Sequence, residues 1–115
     1  MPEKTLFSRI IDGDIPADKV YEDEGYCAFR DIHPAAPEHV LVVPKKVIPT
    51  LAVSAPEDQE VLGGLLLAAK KVAEVLGIDK TGYRCVINTG RDSGQEVDHL
   101  HLHLLGGRPM GWPPG

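Results

Sequence analysis

Cysteine and positive charge are both scarce in this chain of 115 residues. Its two cysteines, Cys27 and Cys85, lie far apart and form no CxxC pair, which excludes a disulfide framework and a thiolate zinc site. A reducing, cytoplasmic compartment is therefore expected. Twelve Lys+Arg stand against 17 Asp+Glu, a formal net charge of −5. That balance lacks the basic footprint of a DNA or RNA polymer binder, although a site for one small anion needs only a few local donors.

Long hydrophobic runs are also missing. The most apolar stretch, 61–69, is interrupted by Gly63 and Gly64 and flanked by charge, and it is too short to span a bilayer. Residues 1–4 have no signal-peptide core, so no membrane association is expected. What is present is an ordinary globular composition, 43% hydrophobic and 25% charged, which predicts one domain over 1–115 with a substantial core.

The first half of the chain predicts a short helix, a hairpin and a buried strand. Thr5 can cap the helix, and apolar residues follow at helical spacing towards Gly13. Asp23-Glu24-Gly25 between two strand-forming runs indicates the hairpin. A β-branched run that stops at Pro44 indicates a strand buried on both faces. The predicted ranges are a helix over 6–11, strands over 19–23, 26–30 and 39–43, and a loop over 31–38.

The second half predicts one long helix and two further strands. Ser54 and Glu57 resemble a capping box with Pro56 in the first turn, and Gly77 is the expected C-cap. Strands are expected over 83–88 and 98–105, with a polar loop over 89–95 between them, and the tail 108–115 can form neither helix nor strand. Antiparallel pairing of these strands favours the α+β class. The core-facing helix positions are Val61, Leu62, Leu65, Leu66, Ala69, Val72, Ala73 and Leu76.

Three of the five histidines, His99, His101 and His103, alternate with leucines in the last predicted strand. Residues two apart in a strand share a face and lie about 6.6 Å apart along it. The pattern therefore predicts a row of imidazoles on one face and the leucines in the core. One interpretation is a set of surface histidines. Another is a zinc site, whose third ligand would come from Asp31, His33, His39 or Asp98.

The third interpretation is covalent catalysis, in which one neutral imidazole attacks phosphorus while its neighbours orient it and move protons. The loop from Asn88 to Gln95, directly before the histidines, carries two glycines and several neutral polar side chains. By itself it is a typical hydrophilic hairpin loop, but it can also turn backbone N–H groups onto an anion. Its position favours a phosphate site over a metal site.

The run Gln95-Glu-Val-Asp-His99-Leu-His101-Leu-His103-Leu-Leu105 resembles the histidine-triad (HIT) signature. Leu105-Gly-Gly-Arg108 and Met110-Gly-Trp112-Pro-Pro-Gly115 resemble the C-terminus of its Hint branch, the histidine triad nucleotide-binding proteins. Segments 7–16, 29–32, 34–39 and 43–46 resemble the same branch, so the likeness covers nearly the whole chain. It implies one HIT domain over 1–115 with a tail at 108–115, and an antiparallel sheet of about five strands with one long and one short helix.

The resemblance further implies a purine nucleoside phosphoramidase that cleaves the P–N bond of AMP or GMP joined to an amine, with no cofactor and no metal. His101 would form a nucleotidyl-histidine that water hydrolyses, while His99 and His39 orient it. A homodimer is implied, in which Trp112 of one subunit lies near the other's active site. The implied substrate contacts are Asn88, Gly94, Gln95, Glu96 and His103 at the phosphate, and Asp31, Phe7, Ile10, Phe29 and Ile32 at the ribose and base.

Each implied role has a structural alternative. Asp31 could cap a turn, His39 could be a satisfied buried histidine, and the apolar base contacts could be ordinary core. Glu96 stands where many relatives carry Ser or Thr, and its carboxylate would repel a phosphate unless it turned outward. Asp98 and His33 also depart from the usual pattern. At the level of function, the alternatives are a non-catalytic nucleotide- or partner-binding module and a metallohydrolase.

Overall fold

Three strands precede the long helix and two follow it in the computed structural model, which describes residues 4–115. The strands form one antiparallel sheet in the order β1-β2-β3-β5-β4. The predicted α+β class, a five-stranded antiparallel sheet with one long and one short helix, is confirmed. The elements are α1 (Leu6–Ile11), β1 (Lys19–Glu22), β2 (Tyr26–Arg30), β3 (Glu38–Pro44), α2 (Gln59–Leu76), β4 (Tyr83–Val86) and β5 (Leu102–Gly106), with 3₁₀ turns at Leu51–Val53, Pro56–Asp58 and Arg91–Ser93.

The start of α1, the first hairpin and the end of α2 have the local structure that the sequence predicts. Thr5 Oγ1 accepts from the Ser8 N–H at 2.9 Å and so caps α1. In the hairpin, Asp23 Oδ1 accepts from the N–H groups of Gly25 and Tyr26, each at 2.8 Å. α2 ends at Gly77, whose φ of +75° is a left-handed conformation that favours glycine.

The core has one half on each face of the sheet. Val40 and Val42 of β3 pack with Leu102 and Leu104 of β5 on the side that α2 covers. The intervening β3 residues, Leu41 and Val43, pack with Phe7 and Ile10 of α1 on the opposite side. Because side chains alternate along a strand, this explains why β3 is buried on both faces, as predicted. His103 alternates with the β5 leucines and therefore faces the α1 side.

The predicted start of the last strand is wrong. β5 begins at Leu102 rather than Asp98. The preceding segment bonds to the connection after β3 instead of to a neighbouring strand, since the Leu100 N–H donates to the Ile48 carbonyl at 2.7 Å. Leu100 is nevertheless fully buried with the β5 leucines, so the predicted burial of the leucines holds without a complete ladder. β4 also ends earlier than predicted, at Val86.

The predicted start of the long helix is wrong as well. The Ser54 hydroxyl donates to the Leu51 carbonyl at 2.6 Å instead of capping a helix. A 3₁₀ turn follows, in which the Asp58 carboxylate accepts from the Ala55 N–H at 2.9 Å and from Lys46 Nζ at 2.6 Å, and α2 begins only after it. Leu66 is 56% exposed, so its predicted place in the core is also wrong. Within residues 4–115, no helix is long and apolar enough to cross a membrane.

Candidate active site

His101 and His103 open into a cleft of about 750 Å³ on the α1 face of the sheet. α1 supplies one wall, β2 and the loop after it supply another, and the loop before His99 closes one end. Most of the residues expected at the site line this cleft, whereas His39, His99, Gln95 and Trp112 lie outside its lining. The expected residues that line it are Phe7, Ile10, Phe29, Asp31, Ile32, Asn88, Gly94, Glu96, His101 and His103.

A backbone carbonyl fixes the orientation of His101. Its Nδ1 lies 2.7 Å from the carbonyl oxygen of His99. A carbonyl can only accept, so Nδ1 carries the proton, and a neutral ring then has its lone pair on Nε2. The ring packs edge-on against Phe7, with centroids 4.9 Å apart, which restricts its rotation. His101 therefore presents an unprotonated nitrogen towards the cleft.

A second set of hydrogen bonds fixes His103 in the opposite tautomer. The Ala35 backbone N–H donates to His39 Nδ1 at 3.0 Å, so the neutral His39 ring carries its proton on Nε2. That atom lies 2.9 Å from His103 Nδ1, which therefore accepts. The proton of neutral His103 is then on Nε2. With ring centroids 5.1 Å apart, His101 and His103 present a lone pair and an N–H side by side.

His99 lies fully buried behind this pair. Its Nε2 donates to the Pro44 carbonyl at 2.8 Å, and its Nδ1 lies 2.7 Å from Thr5 Oγ1. The His99 ring thus ties the segment before β5 to the end of β3 and to the start of α1. The hydrogen bond from His99 to His101 is made by the His99 backbone carbonyl.

Burial keeps the supporting rings neutral. Desolvation, together with the positive charge that His101 and His39 carry when protonated, lowers the pKa of His103 from 6.5 to about 4, against the opposing charge of Asp31. Desolvation also lowers the pKa of His99, against the opposing effect of the Pro44 carbonyl. The pKa of His39 falls for the same reason, with Asp31 opposing. Neutral rings preserve the donor and acceptor pattern that the hydrogen bonds require.

Asp31, His39 and His103 form the group that could hold a metal ion, since each has a ligand-type atom within 4.8 Å of the other two. The atom that His39 offers is Nε2, which lies 3.5 Å from Asp31 Oδ2. Metal binding needs a lone pair on that nitrogen, but the Ala35 N–H already requires the lone pair on Nδ1. The hydrogen-bond pattern therefore favours a proton relay over a metal centre at these residues.

The apolar wall of the cleft is shared with the core. Phe7, Ile10 and Phe29 are buried, and the two phenyl rings meet edge to face with centroids 5.4 Å apart. Ile32 differs, because it stands 86% exposed on the lining of the cleft. The buried side chains pack the fold and line the cleft at once, so a core role and a ligand-contact role do not exclude each other.

Asp31 caps a turn and lines the cleft. Its Oδ1 accepts from the His33 N–H at 2.8 Å, so the structural alternative of a turn cap is realised. Its Oδ2 lies 3.5 Å from His39 Nε2. One carboxylate oxygen thus holds the turn, and the other lies beside His39 in a residue that lines the cleft.

Gln95 organises the loop before the histidines. Its Oε1 accepts from the Gly90 N–H at 3.0 Å, and its Nε2 donates to the carbonyls of Pro49 and Val97 at 2.9 and 3.1 Å. Its side-chain amide is therefore occupied within the protein. The loop turns at Gly94, whose φ of +86° favours glycine. Asn88, Gly94 and the exposed Glu96 are the loop residues that line the cleft.

The groups that set the ring orientations are the ones that sequence patterns miss. Ala35 acts through its backbone N–H and Pro44 through its backbone C=O. Every residue has a backbone C=O and every residue except proline has a backbone N–H, so no residue type marks these positions in the sequence. Thr5 is recognisable as a helix cap, but its contact with His99 spans 94 positions of sequence. Apolar cleft residues without a sequence signal include Leu6, Ile15, Pro16, Leu41 and Val97.

The tail is held at two points and leaves its tryptophan exposed. Arg108 donates to the Ala35 carbonyl at 2.9 Å, and Arg84 of β4 donates to the Gly111 carbonyl at 2.8 Å. Trp112 follows directly and is 83% exposed on the single chain. The tail therefore runs beside β4, an edge strand of the sheet.

Comparisons with known proteins agree with this geometry. The family model of the HIT domain matches residues 12–110. The purine nucleoside phosphoramidase of Escherichia coli (strain K12) is 50% identical over 111 residues, which make up 96% of this chain and 93% of that protein. The crystal structure of a HIT family hydrolase from Legionella pneumophila Philadelphia 1 matches with a TM-score of 0.94 at 51% identity, covering 97% of this chain and 100% of that one.

A HIT family hydrolase from Clostridium thermocellum matches with a TM-score of 0.91 at 45% identity, covering 96% of both chains. Family, sequence and structural likeness thus extend over almost the whole chain, including the histidine row and the cleft beside it. The chain belongs to the histidine-triad (HIT) family and is a hydrolase of that family.

Proposed function

We propose that this protein hydrolyses the P–N bond of purine nucleoside phosphoramidates, with His101 as the nucleophile. The observation that carries the proposal is the opposed tautomer pair in the cleft, a lone pair on His101 beside an N–H on His103. A nucleophile next to a hydrogen-bond donor suits attack on a phosphoryl group. The purine substrate is supported by the name of the E. coli relative, purine nucleoside phosphoramidase.

The reaction takes place in two displacements at phosphorus. In the first, the Nε2 lone pair of His101 forms a bond to phosphorus, the P–N bond breaks, and the nitrogen, protonated in the substrate or by solvent, leaves as the free amine. In the second, water attacks phosphorus and loses a proton, and the pair of electrons in the P–Nε2 bond returns to His101. The sum is phosphoramidate plus water to nucleoside monophosphate plus amine.

The hydrogen bond to the His99 carbonyl favours the first displacement. When Nε2 bonds to phosphorus, the ring becomes positively charged while Nδ1 keeps its proton. The 2.7 Å bond from Nδ1 to the carbonyl then becomes charge-assisted and stronger. Because this gain arises only as the charge develops, it lowers the barrier rather than tightening substrate binding.

The remaining cleft residues supply binding contacts in this proposal. His103 donates from Nε2 to a phosphoryl oxygen, with His39 holding it in place. Asn88, Gly94 and Glu96 meet the phosphate through the loop, which Gln95 orders. The free oxygen of Asp31 accepts from the ribose hydroxyls. AMP and GMP conjugates fit this scheme, with the base against Phe7, Ile10, Phe29 and Ile32.

We also propose a two-fold homodimer of this enzyme in the cytoplasm. The outer edge of β4 has no strand partner among residues 4–115, and an isologous dimer would cover it. α2 exposes Leu66, Leu67 and Val75, which a second copy could also bury. The exposed Trp112 beside β4 would then lie at the partner subunit. Both cysteines are free thiols, as in a reducing compartment.

The test of the proposed function is turnover of adenosine 5′-phosphoramidate by the wild-type protein and by His101→Ala. In buffer with EDTA we expect turnover by the wild type, a loss of at least about a hundredfold in the variant, and an adduct of nucleotide on His101 after quenching in alkaline denaturant, in which the phosphorus–imidazole bond survives. AMP binding without turnover by the wild type would support a binding module instead. Activity that EDTA abolishes and zinc restores would support a metallohydrolase.

A further inference from the structure

Thr5 contacts the histidine row from the far end of the chain. Its Oγ1 lies 2.7 Å from His99 Nδ1, accepts from the Ser8 N–H at 2.9 Å, and lies 3.0 Å from Ser8 Oγ. The same hydroxyl therefore caps α1 and meets the buried imidazole. A helix cap uses the hydroxyl oxygen only as an acceptor, so the hydroxyl proton is available to a second partner.

The proton of Thr5 is directed to His99 by the other side of that ring. His99 Nε2 lies 2.8 Å from the Pro44 carbonyl, which can only accept. Nε2 therefore carries the proton of the neutral ring, and Nδ1 has the lone pair. A fully buried lone pair without a donor is costly, and Thr5 Oγ1 is the donor within reach. Without it, His99 would be free to exchange tautomers and to turn away from Pro44.

We propose that Thr5 is a positioning residue for catalysis, whose hydroxyl fixes the tautomer and orientation of His99 and so holds the His99 carbonyl on Nδ1 of His101. This inference rests on the proposed function of His101. The path from Thr5 to the reacting Nε2 of His101 contains two hydrogen bonds of 2.7 Å and the imidazole rings of His99 and His101. Phe7, two residues after Thr5, packs against both rings, with centroids 5.7 Å from His99 and 4.9 Å from His101. A shift of the α1 start would therefore reach His101 by contact as well.

Three substitutions separate the positioning role from the cap. Thr5→Ser keeps the acceptor and the donor. Thr5→Asp keeps the acceptor for the Ser8 N–H but offers His99 a carboxylate in place of a donor. Thr5→Val removes both. His101 is the titratable neighbour whose charge acts on His99, so each variant is compared with the same substitution in a His101→Ala background when the ring is titrated by NMR.

Three measurements are made on each full-length variant: thermal stability, kcat and KM for adenosine 5′-phosphoramidate, and nitrogen NMR of the His99 ring. We expect Thr5→Ser to retain kcat within about twofold and to keep His99 unprotonated at Nδ1. Thr5→Asp should melt like the wild type, yet lose about tenfold or more in kcat with little change in KM, because displacement of a catalytic group mainly affects the reacting geometry. Its His99 should bind a second proton at Nδ1, with a raised pKa. Thr5→Val should lose stability and kcat together.

Wild-type kcat and an unchanged His99 signal in Thr5→Asp would overturn the positioning role and leave only the cap. Equal loss of kcat in Thr5→Ser and Thr5→Val would overturn it as well. If the wild-type protein does not turn over the phosphoramidate, the proposed function fails. The NMR signal of His99 would then still decide whether Thr5 sets its tautomer.

Discussion

At the scale of single residues, the tautomers of the histidines follow from their backbone partners. The His99 carbonyl determines the proton position on His101, and the Ala35 N–H determines it on His39 and, through that ring, on His103. Chemically identical side chains thereby differ: neutral His101 has its lone pair on Nε2, whereas neutral His103 has its proton there. The difference arises because His101 meets a backbone carbonyl and His103 meets the ring of His39.

The low pKa of His103 predicts that stability falls in mild acid. Its folded-state pKa is about 4, whereas the ordinary value is 6.5. Between these values the unfolded chain binds a proton that the folded chain does not, so the free energy of unfolding decreases as the pH falls through this window, by up to about 1.4 kcal/mol per pH unit for each such histidine. Urea unfolding from pH 7.5 to 4.5 measures the slope.

The control for that slope is a pair of asparagine variants. His103→Asn should flatten the pH dependence, because it removes one of the buried rings responsible. His33→Asn replaces an exposed histidine that lines the same cleft and is the matched control for the loss of one imidazole. Parallel curves for the wild type and His103→Asn would contradict the prediction.

Asp31 can be tested without breaking the turn that it caps. Asp31→Asn keeps an oxygen for the His33 N–H but removes the charge. If the second oxygen accepts from the ribose hydroxyls, loss of these charge-assisted bonds should raise KM about tenfold and weaken discrimination against the 2′-deoxy substrate. Steady-state kinetics on the ribo and 2′-deoxy substrates measure both effects, and unchanged discrimination would leave Asp31 with the turn alone.

At the scale of elements, α2 carries two adjacent glycines in different surroundings. A Cβ at Gly64 would overlap the ring of Tyr26, whose hydroxyl donates to the Val61 carbonyl at 2.7 Å, whereas a Cβ at Gly63 would meet nothing within 4 Å. Gly63→Ala should therefore raise the free energy of unfolding by up to about 1 kcal/mol through helix propensity. Gly64→Ala should lower it by about 1–3 kcal/mol through overpacking.

Chemical denaturation of the two variants under identical conditions checks this prediction. Each serves as the matched control of the other, since both place alanine in the same turn of the same helix. Stabilisation by both substitutions would mean that the Tyr26 side chain moves aside at little cost. Its contact with α2 would then not require glycine at position 64.

At the scale of the whole molecule, the tail places an exposed tryptophan beside the sheet edge where we propose that the second subunit binds. Arg84 holds Gly111 at the β4 edge, and Trp112 extends beyond it into solvent. Truncation after Gly111 keeps the Arg84 bond and removes Trp112, so we expect a folded dimer at micromolar concentration. We expect kcat/KM to change about tenfold more for an indole-bearing amine than for a small alkyl amine, since a lost apolar contact costs roughly 1–3 kcal/mol.

Sedimentation velocity and parallel kinetics on the two substrates make this measurement, with Trp112→Ala as the point variant. A wild-type monomer would contradict the dimer. An equal loss of kcat/KM on both substrates would contradict a role of the tail in leaving-group specificity. It would indicate that the tail only covers an apolar patch.

The sequence by itself determined those features that depend on neighbours along the chain. Alternation in 100–104 placed the leucines in the core, Thr5 and Gly77 marked helix ends, and Asp23 marked the hairpin, because each of these acts over a few residues. The row of histidines beside a glycine-containing loop also predicts a phosphate site. The family resemblance implies the roles of the individual histidines, and both remain predictions.

Only the tertiary structure decided how those residues are held. The strand predicted from Asp98 loses its first residues to a bond with Ile48, and the cap predicted at Ser54 is replaced by a turn that Asp58 holds. The tautomer of His99 depends on the Pro44 carbonyl, and that of His103 depends on the ring of His39; both contacts join segments that are far apart in the sequence. Nearly every residue carries the same backbone N–H and C=O groups, so the residue type does not show which side chain such a group will contact. Which carbonyl meets the ring of His99 is settled only when the end of β3 packs against the segment before β5.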